Sequence, residues 1–327
     1  MNLFGRRPTS PLTPLDPAQL DGLLELCALD PVAGVALAHQ VLRWPSWARG
    51  DVVVAADPWR PVAGAWATGS LMPFGLAARP ELGHPGAGDE VARALADHAF
   101  RRLTRRGSVA GPVADVAAVW EHLAAAGMRS REERWEQPLL VAPRGTGGTL
   151  VPDALARRPE LAWVAAGVHR AAPAEEALVL PASVAMFTGE LGYDPTTSGS
   201  SYARHVGWLV GSGRSYVLLD DGAGGPVGPD AVAGGGAAVA FKVDVGSLWL
   251  RPGGSVAQLT GVWTRPDLRG RGIGSVALAA VVDAVRRDHV GADGAVSLYA
   301  NSFNTAGLGL YHGLGFRRVG TFATVLL

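Results

Sequence analysis

Apolar positions along the chain alternate between short strand-like runs and helix-like spacings. Residues 258–264 form an apolar, β-prone run, and Pro266 ends it because proline cannot donate to a strand ladder. A glycine-rich stretch follows, after which apolar residues recur at the i, i+3, i+4, i+7 spacing of an amphipathic helix. These apolar residues are Ile273, Val276, Ala277, Ala280, Val281, Ala284 and Val285. The pattern therefore predicts a strand, a loop and a helix in that order.

The first half of the chain shows a comparable alternation. We predict strands over residues 51–56, 62–68, 108–113 and 137–141, and helices over residues 16–29, 32–42, 89–106 and 114–126. Residues 71–88 are rich in proline and glycine and are predicted to form a loop. In the second half, we expect a strand over residues 161–168 and a helix over residues 182–191.

The length of 327 residues predicts two domains, residues 1–145 and 146–327, because a domain usually has ~150 residues. The predicted fold class is α/β, in an α+β arrangement with a mixed sheet. The first domain is either a degenerate copy of the second, without its glycine-rich loop, or an unrelated α/β domain that shares an ordinary alternation. Both interpretations remain open on the sequence alone.

The glycine-rich stretch runs from Arg269 to Ser275 and leads into the predicted helix. Glycines let the backbone approach a ligand, and the amides at a helix N-terminus attract anions. The loop lacks the dinucleotide fingerprint, because Ser275 stands where the last glycine is needed, and it lacks the lysine of the nucleotide-hydrolase loop. The stretch is therefore predicted to bind a phosphate-bearing ligand of another kind.

The spacing Arg269-x-x-Gly272-x-Gly274 after a strand resembles the pyrophosphate loop of the GNAT superfamily of acyl-CoA-dependent N-acyltransferases. A second block, residues 295–316, looks like the same family's strand and helix, with Asn304, Tyr311 and a closing Gly-Phe pair. The resemblance covers about the last half of the chain. Its pairing with an uncharacterised N-terminal domain is similar to a group of actinobacterial GNAT proteins.

This resemblance implies a GNAT fold in the C-terminal half and an N-acyltransferase that passes an acyl group directly to an amine in a ternary complex. It implies acetyl-CoA as the co-substrate, bound by the backbone at the end of the central strand, by the loop and by the residue before the last helix. The residues so implied are Val262, Trp263, Thr264, Arg269, Gly270, Arg271, Gly272, Ile273, Gly274, Ser275 and Asn304.

The resemblance also makes Tyr311 the general acid for the departing thiolate; the plainer interpretation is an aromatic core residue. A phenol of pKa ~10 can donate a proton to a thiolate of pKa ~8.5. A carboxylate or a water chain must take a proton from the amine. The candidate carboxylates are Asp244, on the strand before the central one, and Glu190, at the end of a helix. Asp244 shares a strand face with Lys242 and could instead form a structural ion pair, and Glu190 could be an ordinary solvated residue.

The composition of the chain bears on its partners, on metal binding and on its location. The formal net charge is zero, which argues against a general nucleic-acid or membrane-surface partner and leaves a small-molecule or peptide amine as the expected acceptor. The histidines lack metal-ligand spacing and Cys27 is the only cysteine, so no metal is expected. A single cysteine and no apolar run of ~20 residues favour a cytoplasmic protein. A non-catalytic acyl-CoA-binding sensor or interaction protein remains the alternative, and the acceptor and oligomeric state stay open.

Overall fold

The computed structural model describes residues 10–44, 46–227 and 236–327, apart from the side chain of Ser198. Contacts divide the chain into two compact units. The first contains the described residues up to Leu139 together with Val319–Leu327, and the second runs from Leu140 to Arg318. The predicted domain limits at residues 145 and 146 stay a prediction.

The first unit begins with a short strand and two helices, and continues with strands that enclose two more helices. Asp30 caps the second helix, because its carboxylate accepts a hydrogen bond from the Ala33 amide at 3.0 Å. The elements are β1 (Leu12–Pro14), α1 (Leu20–Ala28), α2 (Pro31–Arg43), β2 (Val52–Asp57), β3 (Arg60–Thr68), β4 (Ser70–Phe74), α3 (Asp89–Phe100), β5 (Ser108–Pro112), α4 (Val113–Ala125) and β6 (Glu132–Val141).

The second unit has the same kind of alternation, preceded by two short helices. Its elements are α5 (Val151–Arg157), α6 (Ala162–Gly167), β7 (His169–Arg170), α7 (Glu176–Leu191), α8 (Ser201–Gly211), β8 (Ser215–Asp220), β9 (Ala238–Trp249), β10 (Val256–Thr264), α9 (Ile273–Val285), β11 (Ala295–Tyr299) and α10 (Thr305–Gly313). A π-helical turn, Arg286–Val290, extends α9.

The strand β12 (Arg317–Leu326) follows α10 in the chain, yet its residues from Val319 onward belong to the first unit. It pairs antiparallel with β5, so that Phe322 lies opposite Pro112 and Leu326 lies opposite Ser108. The order of strands in the first unit is therefore β1-β2-β3-β4-β5-β12-β6.

Both units show the same order of elements and the same directions of strand pairing. In the first, β2, β3 and β4 are antiparallel and β4 is parallel to β5. In the second, β8, β9 and β10 are antiparallel and β10 is parallel to β11. Two helices precede each antiparallel set. This shared topology favours the interpretation of the first half as a copy of the second, and the mixed α/β fold class is confirmed.

Several local predictions are wrong. Residues 161–168 form α6 and a preceding 3-10 turn, because Leu161 and Val164 are buried at the i, i+3 spacing of a helix. Residues 71–88 contain part of β4, whose Leu71 and Phe74 are buried despite the surrounding glycine and proline. The helix predicted from residue 182 begins at Glu176 and contains Pro181, and α3 ends at Phe100.

The core of the second unit is built around α9. Most of this helix is buried against β9, β10 and the helices α5, α6 and α10, so its N-terminus is held in a fixed place beside the end of β10. The fully buried side chains of the helix include Val276, Leu278, Val281, Val282 and Val285.

Candidate active site

A cleft of about 1080 Å³ opens in the second unit beside the N-terminus of α9. Its walls come from α5, α7, the second half of β10, the loop 268–276, the end of β11 and α10. Most of the residues implied by the sequence resemblance meet here. Those that line the cleft are Glu190, Val262, Trp263, Thr264, Arg269, Gly270, Gly272, Gly274, Ser275, Asn304 and Tyr311.

The strands β10 and β11 part inside this cleft. Their parallel pairing runs from Val256 opposite Ala295 to Leu259 opposite Leu298, whereas β10 continues to Thr264. The parting therefore begins after Leu259, ahead of Val262 and Trp263, which the resemblance implied as backbone contacts of the coenzyme. Within the described chain, the remaining edge of β10 has no strand partner on that side, which leaves backbone groups available to a ligand.

A β-bulge lies at the same point. Between Thr260 and Trp263, β10 carries one residue more than β9, whose Asp244 and Lys242 lie opposite them. The bulge includes Gly261 with φ +62°, a left-handed conformation that favours glycine. A bulge turns the backbone out of the regular ladder, so this stretch of β10 is directed toward the cleft.

The loop after β10 forms an amide-lined concavity. Gly270 and Gly272 have φ of +74° and +83°, and Gly272 caps α9. Two of the expected amides bond within the loop: Arg269 N–H donates to the Pro266 carbonyl at 3.3 Å and Ser275 N–H to the Gly272 carbonyl at 3.1 Å. In the described part of the chain, the amides from Gly270 to Gly274 donate to no protein acceptor. Amides at a helix N-terminus form a site for an anion.

Close packing explains the last glycine of the motif. A methyl group on Gly274 would lie 2.8 Å from the Thr264 hydroxyl oxygen and 3.1 Å from a Leu310 methyl carbon. The Arg269 side chain donates from Nε to the Thr264 carbonyl at 3.0 Å, which fixes its orientation at the cleft. Two implied residues do not line the cleft: Ile273 is buried in the core, and the Arg271 guanidinium lies beside Gly224.

The helix α10 supplies Asn304 and Tyr311. The Asn304 side chain accepts from the Gly307 amide at 3.0 Å and caps α10. Tyr311 is 5% exposed, and burial raises the pKa of its phenol to about 12, with the negative charge of Glu190 adding to the effect. The phenol is therefore protonated at neutral pH, and Tyr311 lines the cleft.

The two carboxylates proposed as bases differ in their surroundings. Glu190 is exposed at the end of α7 and lines the cleft. Asp244 is buried and does not line it; its Oδ2 lies 2.6 Å from the Lys242 ammonium and its Oδ1 accepts from the Ser215 hydroxyl at 2.8 Å. Both oxygens of Asp244 are thus held by neighbouring side chains.

Sequence reasoning missed part of the cleft. Four further residues line it: Arg157 at the end of α5, Arg158 directly after that helix, Met186 from α7 and Phe303 from the turn before α10. The sequence signal for α5 was weak, because only Val151, Ala154 and Leu155 mark an apolar face before the two arginines.

The first unit has a different arrangement after its corresponding strand β4. The amides of Gly75 and Ala77 donate to the buried carboxylate of Asp115 on α4, at 3.3 and 2.8 Å, and Arg79 lies 3.0 Å from the same group. Burial raises the pKa of this carboxyl, an effect that the amide hydrogen bonds and Arg79 oppose. The Asp115 carboxylate therefore accepts the hydrogen bonds of the backbone amides that follow β4.

No cluster of three or more His, Cys, Asp or Glu side chains is placed to hold a metal ion within residues 10–44, 46–227 and 236–327. Over the same residues, no helix has the length and apolar character that crossing a membrane requires.

Comparisons with known proteins agree with this geometry. Residues 201–316 match the Acetyltransferase (GNAT) family, and residues 54–165 match a domain of unknown function, DUF4081. A solved Drosophila protein is similar over 98% of this chain and 99% of its own, with 13% identity and a TM-score of 0.57. None of the curated proteins matches the chain.

Two further solved structures are similar over nearly the whole chain. A GNAT-family acetyltransferase from Colwellia psychrerythraea has 11% identity and a TM-score of 0.48, covering 97% of this chain and 99% of that one. A tandem GNAT protein from the clavulanic acid biosynthesis pathway has 17% identity and a TM-score of 0.46, covering 96% and 98%.

Proposed function

Since residues 201–316 form a GNAT acetyltransferase domain, we propose that this chain is an acyl-CoA-dependent N-acyltransferase that uses acetyl-CoA. The acyl group passes directly to an amine bound in the same cleft. The observation that carries the proposal is the run of amides from Gly270 to Gly274, which have no protein acceptor in the described chain. Of these residues, Gly270, Gly272 and Gly274 line the same cleft as Tyr311. A cytoplasmic location is part of the same proposal.

The residues present fit coenzyme A. Its diphosphate needs hydrogen-bond donors and positive charge, which the amides of Gly270 to Gly274 and the N-terminal dipole of α9 supply. Its pantetheine amides need backbone partners, which the edge of β10 beyond Leu259 offers. Asn304 and Arg269 line the same cleft. When bound, acetyl-CoA supplies an acyl group activated as a thioester, and its thiolate is the leaving group.

Side chains of this protein would accept the proton of the amine and donate a proton to the thiolate. An amine of pKa ~10 is mostly protonated at neutral pH, so a base has to accept a proton before the amine can attack. We assign this role to Glu190, because this residue lines the cleft and Asp244 does not. Tyr311 holds its proton at neutral pH and donates it at the thiolate end of the cleft.

The acceptor is proposed to be a small-molecule or peptide amine. A carboxylate at the cleft attracts a cationic ammonium group, and the zero net charge of the chain gives no general attraction to nucleic acid. Met186 and Trp263 add apolar surface to the cleft that Glu190 lines.

Binding and turnover together test the proposal. Calorimetric titrations with acetyl-CoA, coenzyme A and NAD should show binding of the two coenzyme A species and not of NAD. Acetyl-CoA with a panel of polyamines, aminoglycosides, amino acids and peptides should then release free thiol with at least one acceptor. Absence of coenzyme A binding would refute the proposal. Binding without turnover across the panel would favour the non-catalytic sensor.

A further inference from the structure

The helix α5 brings two adjacent arginines to the cleft from outside the GNAT-matching residues. Arg157 and Arg158 line the cleft, although α5 lies within residues 54–165, which match the domain of unknown function. By contacts, the same helix belongs to the second unit. The segment therefore has a place in the coenzyme cleft that neither family description assigns.

The start of α5 is anchored to α9, the helix whose N-terminus forms the amide-lined loop. The amides of Leu150 and Val151 donate to the Asp283 carboxylate of α9, at 2.9 and 3.0 Å. Burial raises the pKa of the Asp283 carboxyl, an effect that these two amides and Arg286 oppose. Leu155 and the buried Ala154 pack on the same core as α9. The position of α5 is thus set relative to the loop.

The end of α5 places the two arginines differently. Arg157 donates to the Gly313 carbonyl at the end of α10, at 2.7 Å, so it links α5 to another helix that lines the cleft. Arg158 lies over the loop, because a methyl group on Gly272 would be 3.4 Å from its Nε atom. Its ion pair with Glu160 is long, 3.7 Å, and about half of the Arg158 side chain is exposed. Such an exposed pair holds a side chain only weakly.

We infer that Arg158 binds the diphosphate of coenzyme A together with the amides of the loop. This inference rests on the proposed function. The guanidinium stands beside Gly272, at the centre of the run of amides from Gly270 to Gly274. A guanidinium binds phosphate oxygens with two parallel hydrogen bonds, and it retains its charge at every physiological pH. The helix from the uncharacterised family thereby completes the coenzyme site.

Calorimetric titrations with coenzyme A and with 3′-dephospho-coenzyme A test the inference. For Arg158→Ala, we expect about tenfold weaker binding of both ligands, since a charge-assisted hydrogen bond to phosphate is lost. Arg158→Lys should recover part of the affinity, because lysine restores the positive charge but not the two parallel hydrogen bonds of a guanidinium. Arg144→Ala is the matched control, since Arg144 is an exposed arginine of the same unit that pairs with Asp293 and does not line the cleft.

The outcomes separate the inference from the proposed function. If the wild type binds coenzyme A and Arg158→Ala binds it with the same affinity, the inference about Arg158 is overturned and the proposed function is not. Weakening with coenzyme A but not with its 3′-dephospho form overturns the diphosphate assignment, because the arginine would then bind the ribose phosphate. Failure of the wild-type chain to bind either ligand refutes the proposed function itself. Melting temperatures of all variants establish that each is folded.

Discussion

The Lys242 ammonium lies 2.6 Å from Oδ2 of Asp244, and both residues are buried in β9 behind the bulge of β10. Lys242 is also the only lysine in the sequence. A pair of charges in such a place is stable only while both partners are present, since either charge alone would be buried without compensation. The two charges therefore compensate each other beside Gly261, which lines the cleft.

We predict that Lys242→Met lowers the free energy of unfolding by about 3–5 kcal/mol, because the Asp244 carboxylate is left without its cation. The double variant Lys242→Met with Asp244→Asn should recover most of this loss, since no buried charge remains. Urea unfolding of the single and double variants measures both values. A double variant no more stable than Lys242→Met would contradict the pairing as the source of the effect.

Replacement of Glu190 tests the assignment of the base. Glu190→Gln should lower kcat by about 100-fold at neutral pH, because proton transfer by a placed side chain contributes roughly 10²–10⁴ in rate. Glu176→Gln, on the same helix but away from the cleft, is the control and should keep the wild-type kcat. Wild-type turnover by Glu190→Gln would return the role to Asp244 or to a water chain.

Tyr311→Phe removes one hydroxyl and keeps the ring that packs against Phe316 at a centroid distance of 5.8 Å. We expect kcat to fall by about 100-fold while the dissociation constant for acetyl-CoA stays unchanged, since only the proton donor is lost. Tyr202→Phe is the control: its hydroxyl donates to the Ser183 carbonyl outside the cleft. Equal losses in kcat for both variants would remove Tyr311 from the chemistry.

The pKa of Tyr311 also predicts a pH dependence of stability. Burial raises this pKa from 10.0 to about 12, so between pH 10 and 12 the folded chain keeps a proton that the unfolded chain loses. The stabilisation is complete below pH 10 and is lost as the pH rises toward 12. The difference in unfolding free energy between the wild type and Tyr311→Phe should shrink over this range. A constant difference would mean that the phenol is not held in its neutral form.

The Asp115 carboxylate predicts that one chain binds one molecule of coenzyme A. In the first unit, this carboxylate accepts hydrogen bonds from the amides of Gly75 and Ala77. These amides after β4 are therefore not available to the diphosphate of a coenzyme. Calorimetry should give a stoichiometry of one for the wild type, and the Arg158→Ala variant should weaken that single site. A second site per chain would show that the first unit retains coenzyme binding.

Sequence patterns predicted the elements whose signals are local. The helix α9 begins at Ile273, as its apolar spacing indicated, and Asn304 caps α10. The burial of Tyr311 also follows from its spacing relative to Leu308 and Leu314. Because these features depend on spacing along one segment, a single sequence is enough to find them. The family match at residues 201–316 confirms the resemblance drawn from the same residues.

The missed features depend on contacts between distant segments. The apolar run around Leu161 and Val164 fits a strand or a helix, and only its packing against α9 makes it helical. The position of Arg158 depends on a hydrogen bond between Leu150 and Asp283, which no local pattern contains. For the same reason, the sequence could not separate Glu190 from Asp244, because the distinction lies in whether a carboxylate faces the cleft.

The pairing of β12 with β5 has a consequence for how the protein is made. During translation, N-terminal domains usually fold first, while the ribosome is still extending the chain. Here the partner of residues 108–112 is synthesised only after the whole of the second unit, so the sheet of the first unit cannot close at that earlier stage. Nascent chains stalled before residue 319 should therefore expose β5 to chaperones and proteases, and the first unit reaches its final form last.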